Sequence, residues 1–385
     1  MNIVYSCLKL LNYIIPKSND EVVFVNSMSY ADNISALLEC YMVAHNRKEF
    51  RRISVISNYN ISFAGVLPSN VHELKSYMGM WRLFSAKYII CDSSILPTIM
   101  SNRQNIINVW HGLGLKKILG YCEYPKCFNY YYATYAMAYS DFFSSVTQKA
   151  FGVSCDRVIV SGAPRVDYFR FTDKKILLKI NKKADKYLKT IIWMPTYRQS
   201  ETAYSKNDGH DYSFGIPLLT VDNVDELNEC LLKNNILLII KYHSLQNKQE
   251  SLRNLYSNIT ILTSYDVTKT NEALYRFVGV CDALITDYSS IYLEYLVLNR
   301  PICFAYDDMD EYIKKRGFMF KNVLSIMPGN HAQNMHCLLD FINDMGKDKD
   351  EHIEERELCV NKMGLKRDYK NSERFLRKIG FIGNE

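Results

Sequence analysis

No Cys-x-x-Cys pair occurs among the eleven cysteines, of which Cys122 and Cys127 stand closest. A zinc ribbon is therefore disfavoured. The odd count, with no segment resembling a secretory signal, reads as reduced thiols in a cytoplasmic protein. No apolar run reaches the roughly 18 residues that a membrane-spanning helix needs. Gly-x-Gly-x-x-Gly and Walker sequences are both missing, which disfavours a dinucleotide oxidoreductase or a P-loop enzyme. No Gly-x-Ser-x-Gly elbow points to an α/β-hydrolase. Nucleic acid is not an expected partner, because there is no dense Lys/Arg block and no reading motif. Solenoid repeats and low-complexity tracts are absent as well.

What the chain does have is material for two ordinary cores. It is 385 residues long and 48% hydrophobic, too long for one typical domain and unlike a disordered composition. Net charge is +6 and pI is near 8.6. That mildly basic balance suits an anionic substrate or an anionic membrane surface.

Short β-rich runs alternate with longer helical patterns, as in parallel sheets with crossover helices. Residues 22–25, 53–57, 88–91, 106–109 and 157–160 predict one set of strands. Residues 190–193, 236–241, 259–262, 283–286 and 302–305 predict a second. Helical periodicity falls at 33–47, 222–234, 271–278 and 291–298. A lysine-rich helix is expected over 173–189, between the two sets, and only helix from about His331 onward. The expected organisation is an amphipathic helix over 1–20, a Rossmann-like domain over 21–172, a second over 173–345, and C-terminal helices over 346–385.

In the first segment, Ile3, Val4, Cys7, Leu8, Leu11, Ile14 and Ile15 follow helical spacing on one face. Asn2, Ser6, Lys9 and Asn12 fall elsewhere, and Pro16 stops the helix. Such a helix either lies on a membrane surface or packs on its own domain.

In open parallel sheets, ligands bind beyond the carboxyl ends of the strands, so those ends are where chemistry is sought. The strand at 106–109 runs into Trp110-His111-Gly112, with Gly114, Lys116 and Lys117 close behind. An imidazole there titrates near neutrality and suits a general base. The glycines permit close approach, and the lysines supply charge for an anion. Taken alone, His111 is better read as a structural histidine in a turn. Thr190–Trp193 leads to Thr196-Tyr197-Arg198, where Arg198 suits a bidentate phosphate clamp. The apolar run 236–240 ends in Lys241-Tyr242-His243-Ser244. Residues 283–286 end in Asp287-Tyr288-Ser289-Ser290, whose hydroxyls and amides at a helix start suit a phosphate. Singly, Ser289 is also an N-cap and Asp287 a turn former. Arg165 and Asp167, after 157–160, read as a structural pair, and Asp307-Asp308 as a solvated loop.

Trp110-His111-Gly112 with Leu115-Lys116-Lys117, then 162–167, 195–198, 241–243, 286–290, 299–301, 306–307 and 316–318, stand in an order that resembles one family. It is that of the CDP-glycerol glycerophosphotransferases of teichoic acid and related capsule synthesis. The resemblance implies an α/β, GT-B-like fold: two Rossmann-like domains facing across a cleft, with C-terminal helices. It implies a CDP-alditol donor held by Thr196, Arg198, Lys241, Thr286, Asp287, Ser289 and Ser290. Glu294 is expected either at the donor ribose or facing solvent.

His111 and His243 are the implied catalytic residues, and Gly112, Lys116 and Lys117 face the acceptor or an anion. The acceptor would be a glycan or polyol phosphate, lipid-linked, at the cytoplasmic face of the membrane, with the protein peripheral there. No metal and no cofactor beyond the substrate, CDP-glycerol or CDP-ribitol, is expected. The implied reaction is glycerol-phosphate transfer to an acceptor hydroxyl with release of CMP. Ribitol-phosphate transfer, sugar transfer from a nucleotide-sugar, and a non-catalytic scaffold in polysaccharide assembly stay open as alternatives.

Overall fold

The computed structural model describes residues 3–26, 32–44, 52–57, 71–73, 76–93, 99–122, 133–196, 198, 212–242 and 252–383. Its first sheet contains β1 (Ser18–Asn26), β2 (Arg52–Ser57), β3 (Val71–His72), β4 (Ala86–Cys91), β5 (Asn105–Asn108), β6 (Tyr135–Ala138) and β7 (Val158–Val160). They lie in the order β3-β2-β1-β4-β5-β6-β7, parallel throughout. The second sheet contains β8 (Lys189–Trp193), β9 (Ile236–Lys241), β10 (Ile259–Leu262), β11 (Ala283–Thr286), β12 (Ile302–Ala305) and β13 (Asn330–Ala332). Its order is β10-β9-β8-β11-β12-β13, again parallel. In each sheet the chain reverses direction beside the first strand, which opens a crevice at the carboxyl ends.

Parallel strands are covered on both faces and so read as unbroken apolar runs. The β9 sequence ILLIIK, buried at every position, is the plainest case. Around the first sheet lie α1 (Ile3–Ile14), α2 (Asp32–Ala44), α3 (Tyr77–Ser85) and α4 (Ser144–Phe151). The second lobe carries α5 (Val224–Lys233), α6 (Ser264–Lys269), α7 (Leu274–Val280), α8 (Ile291–Tyr295) and α9 (Met309–Lys315). The chain closes with α10 (Met335–Gly346), α11 (Ile353–Met363) and α12 (Asn371–Lys378). Helix α5 buries Val224, Leu227 and Leu231 on one stripe, with Asp225 and Glu226 in its first turn and Lys233 in its last, matching the helix dipole.

Besides the unexpected strands β3 and β6, three segments differ from the sequence reading. The lysine-rich stretch 173–189 is two 3₁₀ pieces, Lys174–Lys179 and Ala184–Lys186, followed by β8. Asn181 breaks it: its side chain accepts from the Lys183 amide at 2.8 Å and donates to Thr260 at 2.8 Å, an Asn-based turn that competes with helix. Asn330–Ala332 is a strand beside β12, where only helix was expected. Helix α1 forms and packs on the lobe through Leu8, Asn12 and the following Ile15, leaving most of its apolar residues outward. Its polar Asn12 is buried, donating to the Ile99 carbonyl at 2.6 Å and to Gln104 at 2.9 Å, while Ile3 (80% exposed), Leu10, Leu11 and Ile14 (65%) face outward.

The last helix crosses back to the first lobe. Asp167 accepts from the amides of Asn371 and Ser372 at 2.8 and 2.7 Å, capping α12. Asp167 therefore serves α12, and Arg165 is left for another partner. A single apolar cluster runs through both lobes, joining Val22, Phe24 and Leu37 to Leu284, Tyr292 and Phe304, and to Phe375 and Leu376 of α12. The lobes are docked on one another through this shared core.

Candidate active site

The turn that leaves β5 carries His111. Trp110, just before it, has φ +48°, a region that costs a non-glycine residue about 1–2 kcal/mol. The surroundings impose this conformation. Asn108 accepts from the Trp110 amide at 2.7 Å, and Asn33 of α2 donates to the Trp110 carbonyl at 2.8 Å. Arg165 donates to the His111 carbonyl at 3.1 Å, and the Leu113 amide donates to the Tyr139 hydroxyl at 3.1 Å. The imidazole stacks on the Trp110 ring with centroids 4.3 Å apart.

Nδ1 of His111 lies 3.2 Å from the Asp92 carbonyl, which can only accept. Nδ1 thus carries the proton, and the lone pair of Nε2 is available for a substrate. His111 is exposed to solvent, with protein atoms of the lobe junction packed close around the ring. That packing pushes its pKa down to about 4; Arg165 and Lys116 push the same way, and the Asp92 carbonyl opposes them. The imidazole therefore titrates below the near-neutral range expected from sequence.

The glycines have a specific neighbour. A Cβ on Gly112 (φ +136°) would lie 2.3 Å from Ser290 Oγ, and one on Gly114 would lie 2.9 Å from Ser290 Cβ. The turn from the first lobe thus rests on the residue that starts α8 in the second. Beyond it, the Lys117 amide donates to the Gly317 carbonyl at 3.1 Å and the Met319 amide to the Leu115 carbonyl at 2.7 Å, around an antiparallel bridge between Lys116 and Phe318. Lys116 and Lys117 therefore sit, half-buried, on a small interlobe ladder.

On the second lobe, several residues expected on the donor hold one another instead. Arg198 is 2% exposed. It reaches Asp287 at 2.7 Å and Asp308 at 2.8 and 3.2 Å, with the rings of Tyr288 and Tyr312 beside it. Its guanidinium is neutralised by two carboxylates in a buried network. Asp287 also accepts from the Thr196 amide and hydroxyl, the latter at 2.6 Å. Asp308, expected in a solvated loop, is buried in this network. Thr286 donates its hydroxyl to the Met194 carbonyl at 2.8 Å.

Lys241 is buried and donates to the Tyr242 carbonyl at 2.6 Å. Ser289 and Ser290 remain half-buried at the start of α8, which has no side-chain cap. Glu294, placed by sequence at the ribose or in solvent, is 2% exposed, so it does not face solvent; it pairs with Arg165 at 2.5 Å. His243 lies outside the described residues.

Sequence reasoning missed Asn33, Asp92, Asn108, Tyr139 and Tyr275, which hold the His111 turn or Glu294. No local pattern marks Asn33, Asp92, Tyr139 and Tyr275, because each acts on a residue 19 or more positions away, whereas Asn108 acts just two positions on. Among the described residues, no group of three or more His, Cys, Asp or Glu is arranged to hold a metal ion.

Two parallel sheets with facing carboxyl ends, a histidine turn from one and a helix start from the other at their junction, define the GT-B-like class of α/β protein. Within it, the chain belongs to the CDP-glycerol:poly(glycerophosphate) glycerophosphotransferase family, whose model matches residues 7–380. It is 30% identical over 292 residues to the teichoic acid glycerol-phosphate primase of Bacillus subtilis, covering 71% of this chain and 68% of the primase. It is 28% identical over 344 residues to the teichoic acid poly(ribitol-phosphate) polymerase of Bacillus spizizenii, covering 85% of this chain and 52% of the polymerase. The chain thus spans about half the length of that polymerase. Against the teichoic acid glycerol-phosphate transferase of Staphylococcus aureus it is 24% identical, over 98% of this chain and 96% of the transferase. Among solved structures, the wall teichoic acid polymerase TagF superposes with a TM-score of 0.75 at 20% identity, covering 97% and 92% of the two chains.

Proposed function

We propose that this protein transfers glycerol phosphate from CDP-glycerol to a hydroxyl of a polyol-phosphate or glycan acceptor, releasing CMP. The observation that carries this reading is the contact of the His111–Gly114 turn with Ser290. That contact brings the turn carrying a neutral imidazole on one lobe against a helix start without a side-chain cap on the other. In the reaction, Nε2 of His111 takes the acceptor proton as its oxygen bonds to the phosphorus bearing glycerol. The bond from that phosphorus to the bridging oxygen breaks, and CMP leaves with the electron pair. The amides and hydroxyls at 289–290 stabilise the developing charge; one well-placed donor contributes roughly 3–4 kcal/mol. Proton transfer to a positioned base adds about 10²–10⁴-fold.

The outward apolar face of α1 supports peripheral attachment to a membrane, where a lipid-linked acceptor would lie. Tyr77, Met78 and Trp81 of α3, the helix packed beside α1, are exposed too, and such aromatics suit the interface. Among the described residues no helix is long and apolar enough to cross a membrane.

The test is a donor panel of CDP-glycerol, CDP-ribitol and UDP-sugars with a lipid-linked acceptor, scoring CMP against UDP and weighing the product. CMP release with a glycerol-phosphate mass increment supports the reading. A ribitol-phosphate increment moves the donor, UDP release makes the protein a glycosyltransferase, and no release with any donor favours the scaffold.

A further inference from the structure

The one buried carboxylate of Glu294 collects bonds from both lobes. From the first lobe, Arg165 donates through Nε at 3.1 Å and Nη2 at 2.5 Å, and Tyr139 donates its hydroxyl. From the second lobe, Tyr275 donates its hydroxyl to the other oxygen. The Arg165 guanidinium also lies 4.5 Å over the Tyr275 ring. Both first-lobe partners have a second task. Arg165 donates from Nη1 to the His111 carbonyl, while Tyr139 accepts from the Leu113 amide. Those two backbone groups bracket Gly112, whose φ of +136° sets the angle of the histidine turn.

We propose that Glu294 is a positioning residue. Acting through Arg165 and Tyr139, it lets the second lobe fix the orientation of the His111 turn, so that the base is formed only where the lobes are docked. This inference rests on the phosphotransfer reading and adds to it. It also moves Glu294 from the donor to the base. A buried ion pair between long-range partners, with hydrogen bonds to both carboxylate oxygens, specifies one geometry where an apolar contact would tolerate several. A carboxylate is needed for its charge: both first-lobe partners share one oxygen, so glutamine could still accept from them but would leave the buried Arg165 guanidinium without its counter-ion.

The experiment compares Glu294→Gln, Arg165→Lys and Tyr139→Phe with Tyr275→Phe, which removes a Glu294 bond without touching the first lobe. Steady-state CMP release, CDP-glycerol affinity by calorimetry and ¹⁵N shifts of the His111 ring are read on each. For the first three, kcat should fall by about 10²-fold, the scale for an ångström-sized misplacement of a catalytic group. Donor Kd should stay within about threefold, and the ring should change from a single Nδ1–H tautomer to a mixture. Tyr275→Phe should stay within about threefold in kcat and keep one tautomer. Should Glu294→Gln fail to fold, Arg165→Lys and Tyr139→Phe carry the same prediction. Full kcat with a single tautomer in these variants overturns the inference, as does a loss confined to donor Kd, which would put Glu294 on the nucleotide. His111→Ala separates the two failures: an active His111→Ala enzyme sinks the base assignment, while an inactive one beside a fully active Glu294→Gln sinks only the positioning role.

Discussion

Ser290 of the second lobe lies against Gly112 of the first so closely that a methyl group on the glycine would come within 2.3 Å of the serine Oγ. Glycine is required there twice, by the contact and by φ +136°. Gly112→Ala should destabilise the protein by about 1–3 kcal/mol through overpacking and backbone strain, and abolish CMP release. Pairing it with Ser290→Gly should recover part of the stability by relieving the clash, leaving the strain. Thermal unfolding of the single and double variants checks this; additive losses would mean that the two residues do not touch.

Arg198 separates a structural from a substrate role. Removing it leaves Asp287 and Asp308 buried without their cation, and breaking such a pair costs about 3–5 kcal/mol. Arg198→Met should therefore lower the unfolding midpoint sharply. An arginine that gripped the diphosphate would instead leave stability intact and raise the donor Kd, so calorimetry beside thermal denaturation distinguishes the two.

The pH profile follows from the neighbours of His111. A general base works only when neutral, so kcat/KM rises with pH through its pKa and is level above. With that pKa lowered from 6.5 to about 4 by the surrounding protein and the Arg165 and Lys116 charges, activity should hold between about pH 8 and about pH 6. An acid limb centred at or above the ordinary imidazole value would contradict this environment.

Helix α1 predicts opposite outcomes on its two faces. Leu11→Asp and Ile14→Asp, at exposed positions, should weaken sedimentation with anionic vesicles and leave the unfolding midpoint unchanged. Asn12→Leu should destabilise the fold by about 1–3 kcal/mol, because it strips partners from the Ile99 carbonyl and Gln104. Vesicle binding unaffected by both aspartates would remove the membrane from the account.

Much of the fold was legible because fully buried parallel strands are apolar throughout, as β9 is. The strands that escaped were the two-residue β3, too short to show a period, β6, with sequence YAMA, and the polar β13, NHA; the last two carry no β-branched residue. Their pairing comes from neighbouring strands, not from their own propensity. In the site, residue type at a strand end was enough to single out His111. Sequence could not tell which cations are already neutralised. The partners of Arg198 lie 89 and 110 positions away, and that of Arg165 lies 129 away. Local spacing carries no record of such pairs, so Arg198 resembled an anion site and Glu294 a ribose ligand. The face of α1 was misjudged for a related reason: Asn12 is drawn inward by Gln104 and the Ile99 carbonyl, both from the far side of the lobe.

The central claim is that a neutral imidazole of the first lobe takes the acceptor proton while the second lobe holds the nucleotide. It is tested most directly by His111→Ala, measuring CMP release from CDP-glycerol with acceptor and CDP-glycerol affinity on the same preparation. The account predicts at least about a 10²-fold loss of turnover, with donor Kd changed by less than about threefold. Turnover near that of the unaltered protein, or a loss explained wholly by weaker donor binding, would contradict it.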